Sequence, residues 1–260
     1  MSHNRSFDRA ADIYDQTRPL FEPIAKHGIQ AIHDIAGEHA RILDVGTGTG
    51  RISVPLLERG ADLIGCDISS KMLSRLKDKF PSARIAKADG SFLPFSAEYF
   101  DVVLTVHVMH LIPPWREALR EFQRVLKPKG MYLNVRTWAP GEVSIRDRLR
   151  NYWRQWLNNQ GMNVRHVGIQ DPSELLQELQ VLGGHWTEVE VIRYALPFTL
   201  REELERFASR TSSEMWDIPD AIFDASLKEL RTWVDGEFGD LDQQLEDEVR
   251  FVIDVVRFEA

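Results

Sequence analysis

Residues 41–50 read RILDVGTGTG, an apolar run that ends in an acid and breaks into three glycines at alternate positions. A run of this kind fits a short buried strand. A glycine-rich turn directly after it lets backbone approach a ligand closely. The feature confines the chain to folds in which strands feed helices through ligand-binding turns. It leaves open which ligand is bound. A dinucleotide fingerprint requires glycines at 46, 48 and 51, and position 51 is Arg51. A phosphate-cradling loop requires Gly-Lys-Ser/Thr, which is missing here. What remains is a turn that admits an adenosine-bearing ligand without a diphosphate, or a bare structural turn.

The pattern around this turn alternates strand and helix. Strands are expected at 41–45, 61–67, 83–88, 100–106 and 131–135. Between them, helices are expected at 51–59, from Ser69 to Lys79, and at 113–126, where Leu119, Phe122 and Leu126 share one face. FDVVLTV at 100–106 is almost wholly apolar, as a strand covered on both faces should be. This rhythm argues for a parallel sheet built of βαβ units.

After Pro140 the rhythm is lost. A helix is expected over 143–159 and another from Asp171, with Pro172 at its first position and Gly183-Gly184 beyond its end. Strands follow at 188–195 and 248–258, flanking helical sequence over 200–236 broken at Pro219. Residues 1–39 read as amphipathic helix broken at Pro19 and Pro23. The expectation is one domain over 1–260. Its core covers about 40–139, 170–198 and 245–260, and a helical cap is drawn from 1–39, 140–165 and 200–240.

Two carboxylates sharpen the reading. Asp67 ends the second strand, where an acid can accept hydrogen bonds from both hydroxyls of a ribose. The alternative is a helix-capping Asp before Ser69. Asp89-Gly90 ends the third strand, where an acid can accept from an adenine amino group; a plain Asp-Gly turn is the alternative.

LDVGTGTGR, GCDIS, KADGSFLPF, FDVVLTVHVMHLI and FQRVLKPKG occur in that order. Together they resemble the class I S-adenosylmethionine-dependent methyltransferases, in the small-molecule branch that includes the ubiquinone- and menaquinone-type enzymes. The resemblance covers residues 41–139, and five ordered blocks are far more specific than any one of them. FDRAADIYDQTRP at the N-terminus also resembles that branch, in which a Tyr-Asp segment folds over the cofactor. The resemblance implies a doubly wound, mostly parallel α/β sheet of seven strands in order 3-2-1-4-5-7-6, the last antiparallel. It implies S-adenosylmethionine as the ligand and S-adenosylhomocysteine as the product. No carboxylate–His cluster with metal spacing is visible, so no metal is expected. By position, Gly46, Thr47, Gly48 and Gly50 would border the methionine and ribose moieties. Asp67, with Ile68 and Met72 after it, would take the ribose. Asp89, Gly90, Ser91 and Phe92 would meet the adenine. His107 would lie near the donor methyl, with His110 the second catalytic candidate. Asp44 would hold the loop or the cofactor. Tyr14 and Arg18 would contact the methionine carboxylate or simply end a surface helix.

Other features count for less. Ile112-Pro113-Pro114-Trp115 lacks the leading acid or Asn of the nucleic-acid amino methyltransferases and sits six residues too late, so it reads as a helix start. Cys66 reads as a small apolar filler. Leu149, Trp153, Trp156 and Leu157 lie on one helix face, as core or as an aromatic substrate wall. Arg146, Arg148, Arg150 and Arg154 read as a solvated face, or one that meets an acidic substrate.

A formal charge of −8 argues against a nucleic-acid surface. One cysteine argues against disulfides and Cys-based zinc sites. No apolar run approaches a membrane span, and the N-terminus lacks a secretory core, so a cytoplasmic monomer or homodimer without a membrane partner is expected. The expected activity is in-line methyl transfer to a small-molecule acceptor. A cofactor sensor without turnover and a nicotinamide-dependent dehydrogenase are the other readings.

Overall fold

The computed structural model describes residues 7, 8, 10–18, 20–138 and 144–258. The expected breaks at Pro19 and Pro140 and the helix start at Val143 lie outside them. In chain order the helices are α1 (Tyr14–Thr17), α2 (Ile29–Ala36), α3 (Ser53–Glu58), α4 (Ser70–Lys79), α5 (Trp115–Val125), α6 (Ile145–Asn159), α7 (Pro172–Val181), α8 (Leu200–Ala208) and α9 (Asp220–Phe238). The strands are β1 (Arg41–Val45), β2 (Asp62–Asp67), β3 (Arg84–Lys87), β4 (Phe100–Val106), β5 (Leu126–Trp138), β6 (Gly184–Phe198) and β7 (Leu245–Phe258).

The seven strands form one mixed sheet in order β3-β2-β1-β4-β5-β7-β6, the order implied by the family resemblance. β1 to β5 pair in parallel. Val102, Val103 and Leu104 of β4 are fully buried, which explains the unbroken apolar run there. β5 begins five residues earlier than the expected 131–135. The Lys127–Gly130 stretch bulges opposite Phe100 and Val102, with Lys129 in the left-handed region at φ of 67°. Gly130 lies so close to the Lys127 and Asp101 carbonyls that a Cβ would stand 2.9 Å and 3.0 Å from them. The expected helix ends hold where a cap fixes them. The Ser69 hydroxyl accepts from the Met72 N–H at 3.1 Å, and Asp171 accepts from the Ser173 N–H at 2.8 Å.

The chain divides into two compact units. The first comprises residues 1–137, 167–192 and 251–260. Its core packs Leu43 and Val45 of β1, Phe100 and Val103 of β4 and Tyr132 of β5 against Leu119 and Phe122 of α5. Cys66 is buried here as an apolar filler. Residues 1–39, expected in the cap, belong to this unit. Ile29 and Ile32 of α2 are fully buried, and Gly28 lies so near the Phe251 ring that a Cβ would come within 2.9 Å.

The second unit comprises residues 138–166 and 193–250. Leu149, Trp153 and Leu157 of α6 pack on Leu200 and Phe207 of α8 and on Leu230 and Val234 of α9, with Trp156 partly buried against them. The Trp153 indole donates to the Ser226 hydroxyl at 2.9 Å, so its one polar atom is satisfied inside the core. The arginine row of α6 is not a solvated face. Arg146 pairs with the buried Glu203 and Asp247, and Arg150 and Arg154 both pair with the wholly buried Glu214. Burial pushes the Glu214 carboxyl up, but the two guanidinium groups prevail and hold it below the usual range. Only Arg148 keeps an exposed partner, Glu237. Among the described residues no helix is long and apolar enough to cross a membrane.

Candidate active site

β1 ends at Val45 and the chain enters a turn that only glycine accommodates without strain. Gly46 and Gly48 have φ of 76° and 57°, in the left-handed region. At Gly46 a Cβ would stand 2.4 Å from the Val108 side chain, whereas at Gly48 nothing lies closer than 4.0 Å. The turn is therefore packed below and open above.

Beneath it Asp44 is buried and takes a short hydrogen bond from the Ser53 hydroxyl, which in turn contacts the Thr47 hydroxyl. The second Asp44 oxygen, Oδ1, is buried without a hydrogen-bond partner among the described residues. Burial pushes the Asp44 carboxyl up to about 6, against the lowering effect of the Ser53 and Thr47 hydroxyls.

Above the turn lies a cavity of about 80 Å³. Asp67, Asp89 and Gly90 line it from the ends of β2 and β3, together with Gly46, Gly48, Ile68 and Met72. His107 lines it from the end of β4, and Tyr14 from the N-terminal segment. The Gly48 N–H donates to Asp67 Oδ2 at 2.9 Å and the Ser69 N–H to Oδ1 at 2.8 Å. Each carboxylate oxygen thus holds one fixed donor and keeps acceptor capacity toward the cavity. Burial pushes the Asp67 carboxyl up, and these two N–H groups oppose the shift. Asp89 Oδ1 accepts from both the N–H and the hydroxyl of Ser91, at 2.9 and 2.8 Å.

His107 sits just past β4 with φ of 51°, a left-handed backbone uncommon for a residue with a side chain. Its N–H donates to the Val135 carbonyl at 3.3 Å, and its Nε2 lies 3.1 Å from the Thr137 hydroxyl. Burial, with Arg51 and Arg18 nearby, lowers the imidazole to about 4, so at neutral pH it carries no charge.

Several expected residues serve the site without lining it. Thr47 braces Ser53, Gly50 packs against Leu76 and Val54, and Ser91 orients Asp89. The Arg18 guanidinium lies over the Tyr14 ring at 4.8 Å and the Phe7 ring at 5.6 Å. Two placements correct the expectation. Phe92 is 81% exposed, because its N–H closes the Asp89 turn and turns the ring outward. His110 sits in a 3-10 turn, Met109–Leu111, off the cavity wall, where its carbonyl accepts from the Gly168 N–H at 2.9 Å.

The wall also contains Phe7, Val45, Ala88, Val106, Val108, Leu111 and Ile112, none expected as site residues. Phe7 stood within the N-terminal block already quoted. The others are aliphatic and indistinguishable in sequence from core.

The N-terminal segment is tied to α4 by three acids. Asp8 accepts from the Ser69 hydroxyl at 2.5 Å, Asp12 pairs with Arg75, and Asp15 pairs with Lys79 at 2.5 Å while accepting from the Thr49 hydroxyl at 2.6 Å.

S-adenosylmethionine fits these residues on two observations. The turn is open above Gly48, and Asp67 beside it keeps acceptor capacity toward the cavity.

A methyltransferase domain model matches residues 43–134. The chain is 32% identical over 164 residues to the ubiquinone/menaquinone biosynthesis C-methyltransferase UbiE of Rickettsia prowazekii, covering 57% of this chain and 66% of that one. It spans about half the length, 49%, of the first curated relatives it matches, from Mycobacterium. Among solved structures, the YcgJ protein of Bacillus subtilis superposes with a TM-score of 0.61 at 18% identity, covering 90% of this chain and 99% of that one. A phosphoethanolamine N-methyltransferase of Haemonchus contortus, solved with S-adenosylhomocysteine, superposes at 0.55 and 17% identity, covering 97% of this chain and 58% of that one. The five sequence blocks and the family match fall on the same stretch: residues 43–134 match a methyltransferase domain.

Proposed function

We propose that this chain transfers a methyl group from S-adenosylmethionine to a small-molecule acceptor by in-line displacement. The observation that carries the reading is Asp67. Its two oxygens are each fixed by one backbone N–H, which leaves paired acceptor positions facing a cavity, as vicinal hydroxyls require. S-adenosylmethionine supplies a methyl already activated by a sulfonium, so the protein's work is placement and exclusion of water. Asp89, held by Ser91, offers an acceptor to an amino group on an adenine edge. Val106, Val108, Leu111 and Ile112 form the apolar wall that keeps water from the reacting atoms. His107 stays neutral down to about pH 4, so it orients an acceptor far better than it removes a proton.

Calorimetry with S-adenosylmethionine, S-adenosylhomocysteine and NAD tests the ligand. Binding of the first two without NAD supports the reading, and NAD binding alone would overturn it. Transfer of label from methyl-labelled S-adenosylmethionine to a panel of hydroxyl, amine, thiol and carbon acceptors then identifies the substrate class.

A further inference from the structure

His107 meets its surroundings through two distinct ring nitrogens. Nε2 lies 3.1 Å from Thr137 Oγ1, on β5, the strand next to the one that ends just before His107. Nδ1 has no hydrogen-bond partner among the described residues and is not one of their sealed, unpaired polar atoms. His107 lines the cavity, so Nδ1 is the nitrogen that opens onto it.

We infer that Thr137 is a positioning residue that accepts the Nε2–H of His107 and so presents a bare Nδ1 lone pair to the molecule in the cavity. Two arguments favour this arrangement over its reverse. Neutral imidazole prefers the proton on Nε2 when nothing else decides. Arg18 and Arg51 make the ring's surroundings positive, which favours a lone pair over a further N–H at the open nitrogen.

The backbone supports the assignment independently. The His107 N–H bonds to the Val135 carbonyl, so β5 holds both the main chain and the ring of one residue. A left-handed residue held at two points by its neighbour strand is strain maintained by its surroundings, and such strain gathers where a side chain must be aimed. The group that meets Nδ1 is then a hydrogen-bond donor, a hydroxyl or an amine. This last step rests on the methyl-transfer reading; the placement of the ring does not.

The test is nitrogen-15 NMR of the histidine rings in the ligand-free protein at neutral pH. A pyrrole-type Nε2 and a pyridine-type Nδ1 for His107 are expected. Thr137→Val keeps the side-chain shape and should move both nitrogens toward averaged values, and Thr137→Ser should restore the wild-type pair. A pyridine-type Nε2 in the wild type, or unchanged shifts in Thr137→Val, would overturn the inference. Because no ligand is present, failure of S-adenosylmethionine to bind would remove the functional reading and leave this one standing.

Discussion

A carboxylate at the end of a strand is a small feature, yet Asp67 organises the candidate site. Its oxygens take one N–H from the glycine turn and one from the start of α4, so the loop and the helix are locked around the same acid. Asp67→Ala removes the acceptor that the ribose reading requires. The expected loss of S-adenosylmethionine affinity is about 1.5–3 kcal/mol, the range for hydrogen bonds to a charged group, or roughly 10- to 100-fold. Calorimetry on the folded variant checks it, and unchanged affinity would take Asp67 out of the site. Residues of this kind are legible in sequence because acids and glycines are conspicuous at strand ends. Val108 and Ile112 were not legible, since an aliphatic side chain facing a cavity looks like one facing the core. Phe92 differs for another reason: the turn that fixes Asp89 points its ring to solvent.

At the scale of elements, periodicity located the strands and helices of the sheet closely, because alternating buried and covered segments leave a mark in sequence. Charge pairing leaves none. The row Arg146, Arg150 and Arg154 spells a polar face, and only the fold reveals Glu203, Glu214 and Asp247 buried against it. Glu214→Ala leaves Arg150 and Arg154 without their shared partner. It should therefore cost about 3–5 kcal/mol in denaturant-induced unfolding, the range for breaking a buried ion pair. A loss below about 1 kcal/mol would mean that water solvates the pair. The N-terminal segment behaves differently, since Asp12 and Asp15 meet Arg75 and Lys79 at the surface of α4, where salt screens them. Phe7 and Tyr14 reach the cavity from this segment. Hydrogen exchange over residues 10–18 should quicken in high salt and slow when S-adenosylmethionine is added. Identical protection in all three conditions would show that the segment does not respond to the site.

At the scale of the whole molecule, the sequence suggested a core with one cap and the structure has two compact units, each assembled from separated segments. Periodicity reports the face of an element, not which distant segment covers it, so the grouping of residues 1–39 with the first unit leaves no mark in the sequence. What the whole chain does show is a pair of buried titrations of opposite sign in one unit. His107 is lowered from 6.5 to about 4, so its contribution to stability is complete above pH 6.5 and is lost as pH falls through about 4. Asp44 is raised from 3.8 to about 6, so its contribution is complete below pH 3.8 and is lost as pH rises through about 6. Each is worth roughly 3 kcal/mol at about 1.4 kcal/mol per pKa unit, so between pH 6.5 and 4 they largely offset. The two single variants should separate them. Relative to wild type, His107→Asn should gain stability as pH falls from 6.5 to 4, because only the wild type then suffers a neutral buried imidazole. Asp44→Asn should lose stability relative to wild type over pH 6 to 4, because only the wild type gains from protonating that carboxyl. Urea unfolding at pH 7, 6, 5 and 4 measures both differences, and stability profiles that run parallel to wild type would show that neither group titrates as its burial requires.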